Sequence, residues 1–146
     1  MKLQTLLAVL CGITVAAHAE VCSNITNEVV TVDARNDEWS TAALKVKPGD
    51  LIMVLAGGKV TLPHSILPHE VSAKGAPNGV GGLEMKVGTG TVIPVGERWV
   101  GAFREAGTIK FRVTADRRSD VAGGYSVRVV LIPAGTLPPT VKVDAD

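Results

Sequence analysis

Cysteine is scarce in this chain of 146 residues, which contains only Cys11 and Cys22. Cys11 lies in an N-terminal segment that we expect to be removed, so the mature chain would keep Cys22 alone. A single cysteine cannot form an internal disulfide, although it can pair between subunits or stay capped or buried. The fold must therefore be stabilised by a hydrophobic core, and a chain of this size with 46% hydrophobic residues can bury one.

The N-terminal segment has the three parts of an export signal. Lys2 gives a positive start, Leu6 to Ala17 form an apolar run, and Ala17-His18-Ala19 has the small residues that precede a cleavage site. The run is too short and wrongly flanked for a membrane span. We predict a signal peptide at residues 1–19, cleavage before Glu20, and a secreted or periplasmic protein without membrane insertion.

An excess of either charge is also lacking. Fifteen lysines and arginines stand against 14 aspartates and glutamates, and loss of Lys2 with the signal leaves 14 of each. Acids and bases are interspersed along the chain, so there is no basic patch for nucleic acid or an anionic membrane. Recognition of a partner by bulk charge is therefore not expected, and no nucleic-acid partner is predicted.

Catalytic motifs are equally scarce. The chain has no Gly-x-Ser-x-Gly nucleophile elbow and no glycine-rich loop followed by a lysine and a hydroxyl residue. Asp116 and Asp120 are close in sequence, but their spacing suits shared metal coordination at least as well as a pair of catalytic carboxylates. The sequence therefore indicates a protein that is not an enzyme.

Short alternating segments indicate an all-β fold. In Thr108 to Thr114, Ile109, Phe111 and Val113 face one way while Lys110 and Arg112 face the other, as in a half-buried strand. Glycine and proline separate such segments, and no helical period is sustained. We predict a small jelly-roll-like β-sandwich at residues 20–133, followed by a Pro-rich tail at 134–146. The further predicted strands are Val29–Ala34, Leu51–Ala56, Leu83–Val87, Thr91–Val95 and Gly124–Ile132, with alternation also at Leu44 to Lys47.

Residues 57–82 lack this alternation and are predicted to form a long loop. The loop contains Leu62-Pro63-His64 and Leu67-Pro68-His69, followed by Glu70. Two histidines and a carboxylate are a ligand set for zinc or copper. Surface histidines without a metal explain the same pattern, and a blue-copper site is disfavoured because Cys22 precedes the first strand.

The loop from Asp116 to Gly124 is a second candidate metal site. Calcium takes six to eight oxygen ligands, and Asp116, Asp120 and Ser119 can each offer an oxygen. A tight hairpin whose aspartates cap backbone amides explains the same residues, with glycines at the positions of positive φ. Arg117 and Arg118 lie between the two acids and would neutralise them in part.

Several segments, in order, resemble the PA-I galactophilic lectins, which are small calcium-dependent sugar-binding β-sandwiches. The resemblance covers roughly Val32 to Ile132 and is closest in Leu83–Val95 (LEMKVGTGTVIPV), where a Leu-x-x-Lys-Val-Gly strand precedes an Ile-Pro-Val strand. The other matching segments are Lys47-Pro48-Gly49-Asp50, Ala56-Gly57-Gly58, Ala76-Pro77-Asn78-Gly79 and Gly124-Tyr125-Ser126-Val127.

This resemblance implies a calcium site and a sugar site at the same loops. Calcium would be held by Asp116, Asp120 and the backbone carbonyl near Leu62, and the sugar would contact the ion and Asn78. Val121 stands where the family has a second amide or acid, so calcium binding is expected to be weak or absent. The implied partner is a galactose-type glycan, and assembly into a homo-oligomer would raise the avidity of weak single sites.

A structural role is the alternative prediction. The chain has five aromatic residues in all, whereas sugar sites often use aromatic platforms, and Trp39, Trp99, Phe103 and Tyr125 are interpreted mostly as core. In this alternative the sandwich persists without sugar binding and serves as an envelope or adhesion component.

Overall fold

The computed structural model describes residues 24–63, 69–116 and 120–136. The predicted signal peptide, Cys22, His64, Ser119 and most of the predicted tail lie outside these ranges. Within them, no helix has the length and hydropathy that crossing a membrane requires. The described residues form nine strands: β1 (Thr26–Asp33), β2 (Ser40–Val46), β3 (Leu51–Leu62), β4 (His69–Val71), β5 (Leu83–Val87), β6 (Ile93–Pro94), β7 (Arg98–Ala102), β8 (Gly107–Val113) and β9 (Ala122–Ile132).

These strands form two antiparallel sheets, which confirms the predicted all-β sandwich. The five-stranded sheet has the order β1-β9-β3-β4, and β7 pairs with the first half of β3 while β4 pairs with its end. The four-stranded sheet has the order β2-β8-β5-β6. The long strands β3 and β9 pair along eleven residues, from Leu51–Ile132 to Thr61–Ala122, and therefore form the centre of the larger sheet.

The core lies between the two sheets and follows the alternation that the sequence shows. On β8, Ile109, Phe111 and Val113 are fully buried, whereas the intervening residues are partly exposed. From the other sheet, Val127 and Val129 of β9 are also fully buried. Each such side chain contributes about 1.5–3 kcal/mol through burial, so the sandwich is stable without a disulfide.

A buried aspartate fixes the turn that enters β3. The predicted turn at Lys47 to Asp50 is present, with Gly49 at φ +89° and the Asp50 amide donating to the Lys47 carbonyl at 3.1 Å. Asp50 is 5% exposed. Its carboxylate accepts the Lys47 N–H at 2.8 Å and the Ala134 N–H at 3.0 Å. One side chain therefore ties the start of β3 to the segment that follows β9.

The prediction of a long loop at residues 57–82 was wrong at its start. β3 continues through Gly57 and Gly58 to Leu62, and β4 lies within the same predicted loop. Glycine lowers strand propensity, so the sequence pattern breaks there. The strand continues because Gly57 and Gly58 pair with Ser126 and Tyr125 of β9.

Two further differences concern short strands at the sheet edges. β7 was not predicted, and the predicted strand at Thr91–Val95 is reduced to the two residues of β6. In the part of the chain that the structure describes, no second layer covers the outer side of β7. Its residues therefore alternate between exposed and partly exposed. Edge strands of this kind lack the buried face from which sequence patterns are recognised.

Of the aromatic residues predicted to belong mostly to the core, Tyr125 is buried, Trp99 and Phe103 pack against the core, and Trp39 lies elsewhere. Trp39 is partly exposed, and its ring lies 4.3 Å from Lys86 Nζ and 4.5 Å from the guanidinium carbon of Arg112. These are cation–π distances. Trp39 therefore packs on the outer face of the smaller sheet, where its ring contacts two cations.

A carboxylate on β1 closes one open side of the sandwich. The β2–β8 register shifts between Thr41 and Lys45, which leaves backbone amides of β2 outside the ladder. The Glu28 carboxylate accepts the N–H of Ala43 at 2.8 Å and of Leu44 at 3.2 Å. It thereby joins the edges of the two sheets.

Candidate functional site

The predicted site residues lie at one end of the sandwich, which we call the loop end. There β3 and β8 end, β9 begins, and residues 72–82 connect β4 to β5. This connection is fastened to the end of β8: the Gly81 N–H donates to the Thr114 carbonyl at 2.6 Å, and the Thr114 N–H donates to the Gly82 carbonyl at 2.8 Å. Segments far apart in sequence therefore meet at one surface.

Tyr125 braces the loop end from inside. The side chain is 1% exposed, and its hydroxyl oxygen lies 2.6 Å from the Gly81 carbonyl oxygen and 2.8 Å from that of Ser72. With one proton, the hydroxyl donates to one of these carbonyls at a time. Burial raises the pKa of Tyr125 to about 12, since the ionised form would lose its hydration. The sequence indicated only a core tyrosine, although a buried tyrosine hydroxyl usually requires a partner.

Asn78 lies in a tight turn beside a cleft of about 350 Å³. The amide oxygen of its side chain accepts the Val80 N–H at 3.2 Å, so the turn uses that oxygen and the amide nitrogen can donate to a ligand. Thr114 and Glu84 also line this cleft. The predicted sugar-binding asparagine therefore faces a concave surface that contains further polar groups.

Asp116 and Asp120 are exposed residues of the same end. Asp116 follows the end of β8 by three residues, and Asp120 precedes the start of β9 by two. Asp116 is also two residues from Thr114, which lines the Asn78 cleft. Both acids therefore lie within three residues of a strand end at the loop end. Ser119, which lies between them in the sequence, is outside the described residues.

Leu62 lies at the beginning of β9. It is the last residue of β3 and follows the final β3–β9 pair, Thr61 with Ala122, by one position. Continued by one residue, this register places the Leu62 backbone opposite Val121, next to Asp120. Its side chain is buried and lies beneath Gly81, where an added Cβ would be 3.3 Å from Leu62 Cδ2. Only the backbone of Leu62 is thus suited to contact a ligand.

The donor set at this end is short of what calcium prefers. Val121 is 2% exposed, with an apolar side chain directed into the core. The carbonyl of Val121, the residue after Asp120, accepts a hydrogen bond from Arg35 Nε at 3.0 Å. Among the predicted ligands that the structure describes, there are two carboxylates and the Leu62 carbonyl, against six to eight oxygens in typical sites. Within the described residues, no three histidine, cysteine, aspartate or glutamate side chains converge to hold a metal.

The histidine hypothesis receives no geometric support from the described residues. His69 and Glu70 are consecutive residues of β4, so their side chains point to opposite faces. The Glu70 carboxylate accepts a hydrogen bond from Lys59 Nζ at 2.8 Å. This bond, and then the ammonium charge, hold the pKa of Glu70 below its usual value. His64 lies outside the described part of the chain.

Comparisons with protein-family models and with curated proteins found no match. Among solved structures, the fold is similar to that of a chain described as "EclA N-terminal domain; PllA-like lectin". The alignment has a TM-score of 0.57 and 22% sequence identity, and it covers 75% of this chain and 98% of that chain. At this identity the likeness concerns the fold, and membership of the PA-I galactophilic family remains a prediction. The described chain thus has the β-sandwich fold of this lectin domain.

Proposed function

We propose that this chain is a carbohydrate-binding module that recognises a glycan at the loop end without breaking a bond. The observation that carries this proposal is the likeness to a lectin domain along 98% of that domain's length. The export signal and the secreted or periplasmic location belong to the same proposal.

The Asn78 cleft is the part of the loop end that fits a sugar. Its volume of about 350 Å³ lies within the usual range for small-ligand sites. The Asn78 amide, the Thr114 hydroxyl and the Glu84 carboxylate supply both donors and acceptors, which is what sugar hydroxyls require. Glu84 also accepts a hydrogen bond from Arg112 at 3.2 Å, which fixes its carboxylate. The proposed ligand is a galactose-type glycan, and a homo-oligomer would raise avidity.

Calcium binding at Asp116 and Asp120 is proposed to be weak. The two carboxylates, the Leu62 carbonyl and Ser119 would hold the ion, which would supply charge for contact with sugar hydroxyls. The donor set is incomplete, and the Arg35 guanidinium binds the carbonyl of Val121, the residue after Asp120. Sites of low affinity in extracellular modules have dissociation constants of about 10⁻⁴–10⁻³ M, and we expect the weaker end of that range.

Thermal unfolding with and without calcium tests this proposal. For a dissociation constant of about 1 mM, about 10 mM calcium stabilises the folded state by about 1.4 kcal/mol through mass action. This corresponds to a rise in Tm of roughly 5 °C for a domain of this size. We expect the rise in the wild type and its loss in Asp116→Ala.

The matched control is Glu105→Ala. Glu105 is an exposed acid that precedes β8, at the opposite end of the sandwich from Asp116. This variant should keep the calcium response. An unchanged Tm of the wild type with calcium and with chelator would remove calcium from the proposal. Glycan binding would then be tested by a screen in chelator, and a negative screen of the wild type under both conditions would contradict the carbohydrate-binding function.

A structural or adhesion role is the second candidate, and one observation favours it. The outer face of the five-stranded sheet exposes Val29 at 53%, Leu55 at 43% and Val100 at 59%. The register places Val29 and Leu55 on either side of Arg128, so the exposed apolar groups share one face with an arginine between them. Exposed apolar patches often mark contact surfaces. Self-association of the protein in sedimentation, with a negative glycan screen, would favour this candidate.

A further inference from the structure

Two adjoining hollows form a continuous groove across the outer face of the five-stranded sheet, and only Ala73 is shared with the lining of the Asn78 cleft. The first has a volume of about 640 Å³ and lies beside the end of β1, and the second has a volume of about 520 Å³ and lies between β4 and β7. They share Gly57 and Gly58 of β3. We call this surface the sheet groove; Thr31, Asp33, Arg35 and Ser126 line one end, and Ser72, Glu97 and Arg98 line the other.

The middle of the groove is open down to the backbone of β3. β7 pairs with β3 as far as Leu55, and β4 pairs with it from Val60 onward. Among the described residues, no strand pairs with Gly57 to Lys59 on that side, so the sheet has a gap of three residues there. A Cβ added at Gly57 would meet no atom within 4 Å, so a side chain at this position would extend into the groove.

Each end of the groove carries one acidic and one basic residue. Asp33 accepts the backbone N–H of Arg35 at 2.8 Å, and the Arg35 guanidinium is held by the Val121 carbonyl at 3.0 Å. At the other end, a hydrogen bond from Ser72 and the charge of Lys74 hold the pKa of Glu97 below its usual value. Arg98 follows Glu97. The groove thus offers fixed carboxylates and guanidinium groups with no excess of either charge.

We propose that the sheet groove is a second glycan-binding site, which takes a neutral linear oligosaccharide independently of calcium. This inference rests on the proposed carbohydrate-binding function for the class of ligand, but it uses a different surface. From β1 to the β4–β7 gap the groove spans three inter-strand spacings, or about 14 Å, which suits a ligand of more than one sugar ring. Balanced carboxylates, guanidinium groups and hydroxyls match the paired donors and acceptors of sugar hydroxyls.

A peptide is a poorer fit to the same surface. Peptides that bind sheets usually add as a strand along an open edge, and the gap beside Gly57 to Lys59 is closed at both ends by β7 and β4. Three residues are fewer than a typical strand. An extended glycan needs no such ladder, because its hydroxyls bind side chains and individual backbone groups.

The test measures binding of neutral linear tetrasaccharides of glucose, galactose, mannose and N-acetylglucosamine by calorimetry, in calcium and in chelator. We expect the wild type and Asp116→Ala to bind one of them equally in both conditions. Gly57→Leu should weaken this binding roughly tenfold or more by filling the groove. Arg98→Ala removes one donor without adding bulk and should weaken it less. The matched control is Ala102→Leu, which adds the same side chain at an exposed position of β7.

The outcomes separate this inference from the proposed function. If Asp116→Ala or chelator abolishes tetrasaccharide binding and Gly57→Leu leaves it unchanged, the sugar binds at the loop end, and the proposal of a sheet-groove site is overturned. Binding that Gly57→Leu and Ala102→Leu weaken equally would also overturn it. If no tetrasaccharide binds, the proposal of a sheet-groove site is overturned. The glycan screen would still test whether the loop end binds branched or terminal sugars.

Discussion

Tyr125→Phe is expected to destabilise the protein by about 2 kcal/mol, because the carbonyls of Gly81 and Ser72 lose their buried donor. The phenyl ring keeps the packing of the tyrosine, so the loss reports on the hydroxyl alone. For a domain of this size the Tm should fall by roughly 8 °C. Urea unfolding measures the free energy directly. A loss below about 0.5 kcal/mol, the lower limit for a typical hydrogen bond, would show that the hydroxyl does not brace the loop end.

The same residue predicts a loss of stability at alkaline pH. Burial raises the pKa of folded Tyr125 to about 12, whereas an unfolded tyrosine ionises near about pH 10. Above that pH the unfolded chain releases the proton first, so the free energy of unfolding falls as pH rises. The contribution of the protonated Tyr125 hydroxyl to the free energy of unfolding is complete below about pH 10 and is lost as pH rises through about 12. The difference in free energy of unfolding between the wild type and Tyr125→Phe should therefore decrease across this pH range.

Asp50→Ala is expected to lower the free energy of unfolding by about 3 kcal/mol, a larger loss than that of Tyr125→Phe. Two backbone amides, of Lys47 and Ala134, lose a charged acceptor in a buried setting, and such bonds are worth about 1.5–3 kcal/mol each. Part of the loss is recovered if water enters the space. Differential scanning calorimetry should show a fall in Tm of roughly 12 °C.

Two further variants make the Asp50 prediction specific. Asp50→Asn keeps one acceptor oxygen and most of the shape of the side chain. Its free energy of unfolding should therefore lie between those of the wild type and Asp50→Ala. Glu38→Ala removes a carboxylate from an exposed residue and should change stability by less than about 0.5 kcal/mol. Equal stability of Asp50→Ala and Glu38→Ala would contradict the view that the Asp50 carboxylate joins β3 to the end of β9.

The sequence predicted the parts of the fold that depend on local pattern. β8 shows a strict alternation of apolar and basic residues, and the turn at Lys47 to Asp50 has proline and glycine at the positions that its geometry requires. The second half of β3 could not be predicted in this way. Its glycines give no alternation, and only the pairing with β9 shows that they belong to a strand.

The sequence named candidate site residues but could not show which segments meet at one surface. Asp116 and Asp120 came from the residues of their loop and from the resemblance, Asn78 came from the resemblance alone, and the structure places all three at one end of the sandwich. The contact of Arg35 with Val121 joins positions 86 residues apart, and nothing in the local sequence of either indicates it. The Tyr125 hydroxyl likewise reaches Gly81 from 44 residues away. Such contacts depend on how the sheets pack, which periodicity does not specify.

The Glu28 carboxylate has a consequence for how copies of this protein can meet. Exposed strand edges invite other chains to add by backbone pairing, and this is a common route to aggregation. At the β2 edge, the amides of Ala43 and Leu44 already bind Glu28, so an incoming strand would have to displace a charged acceptor. We therefore expect that edge to resist fibre-like growth, and any assembly of this protein to use the faces of its sheets.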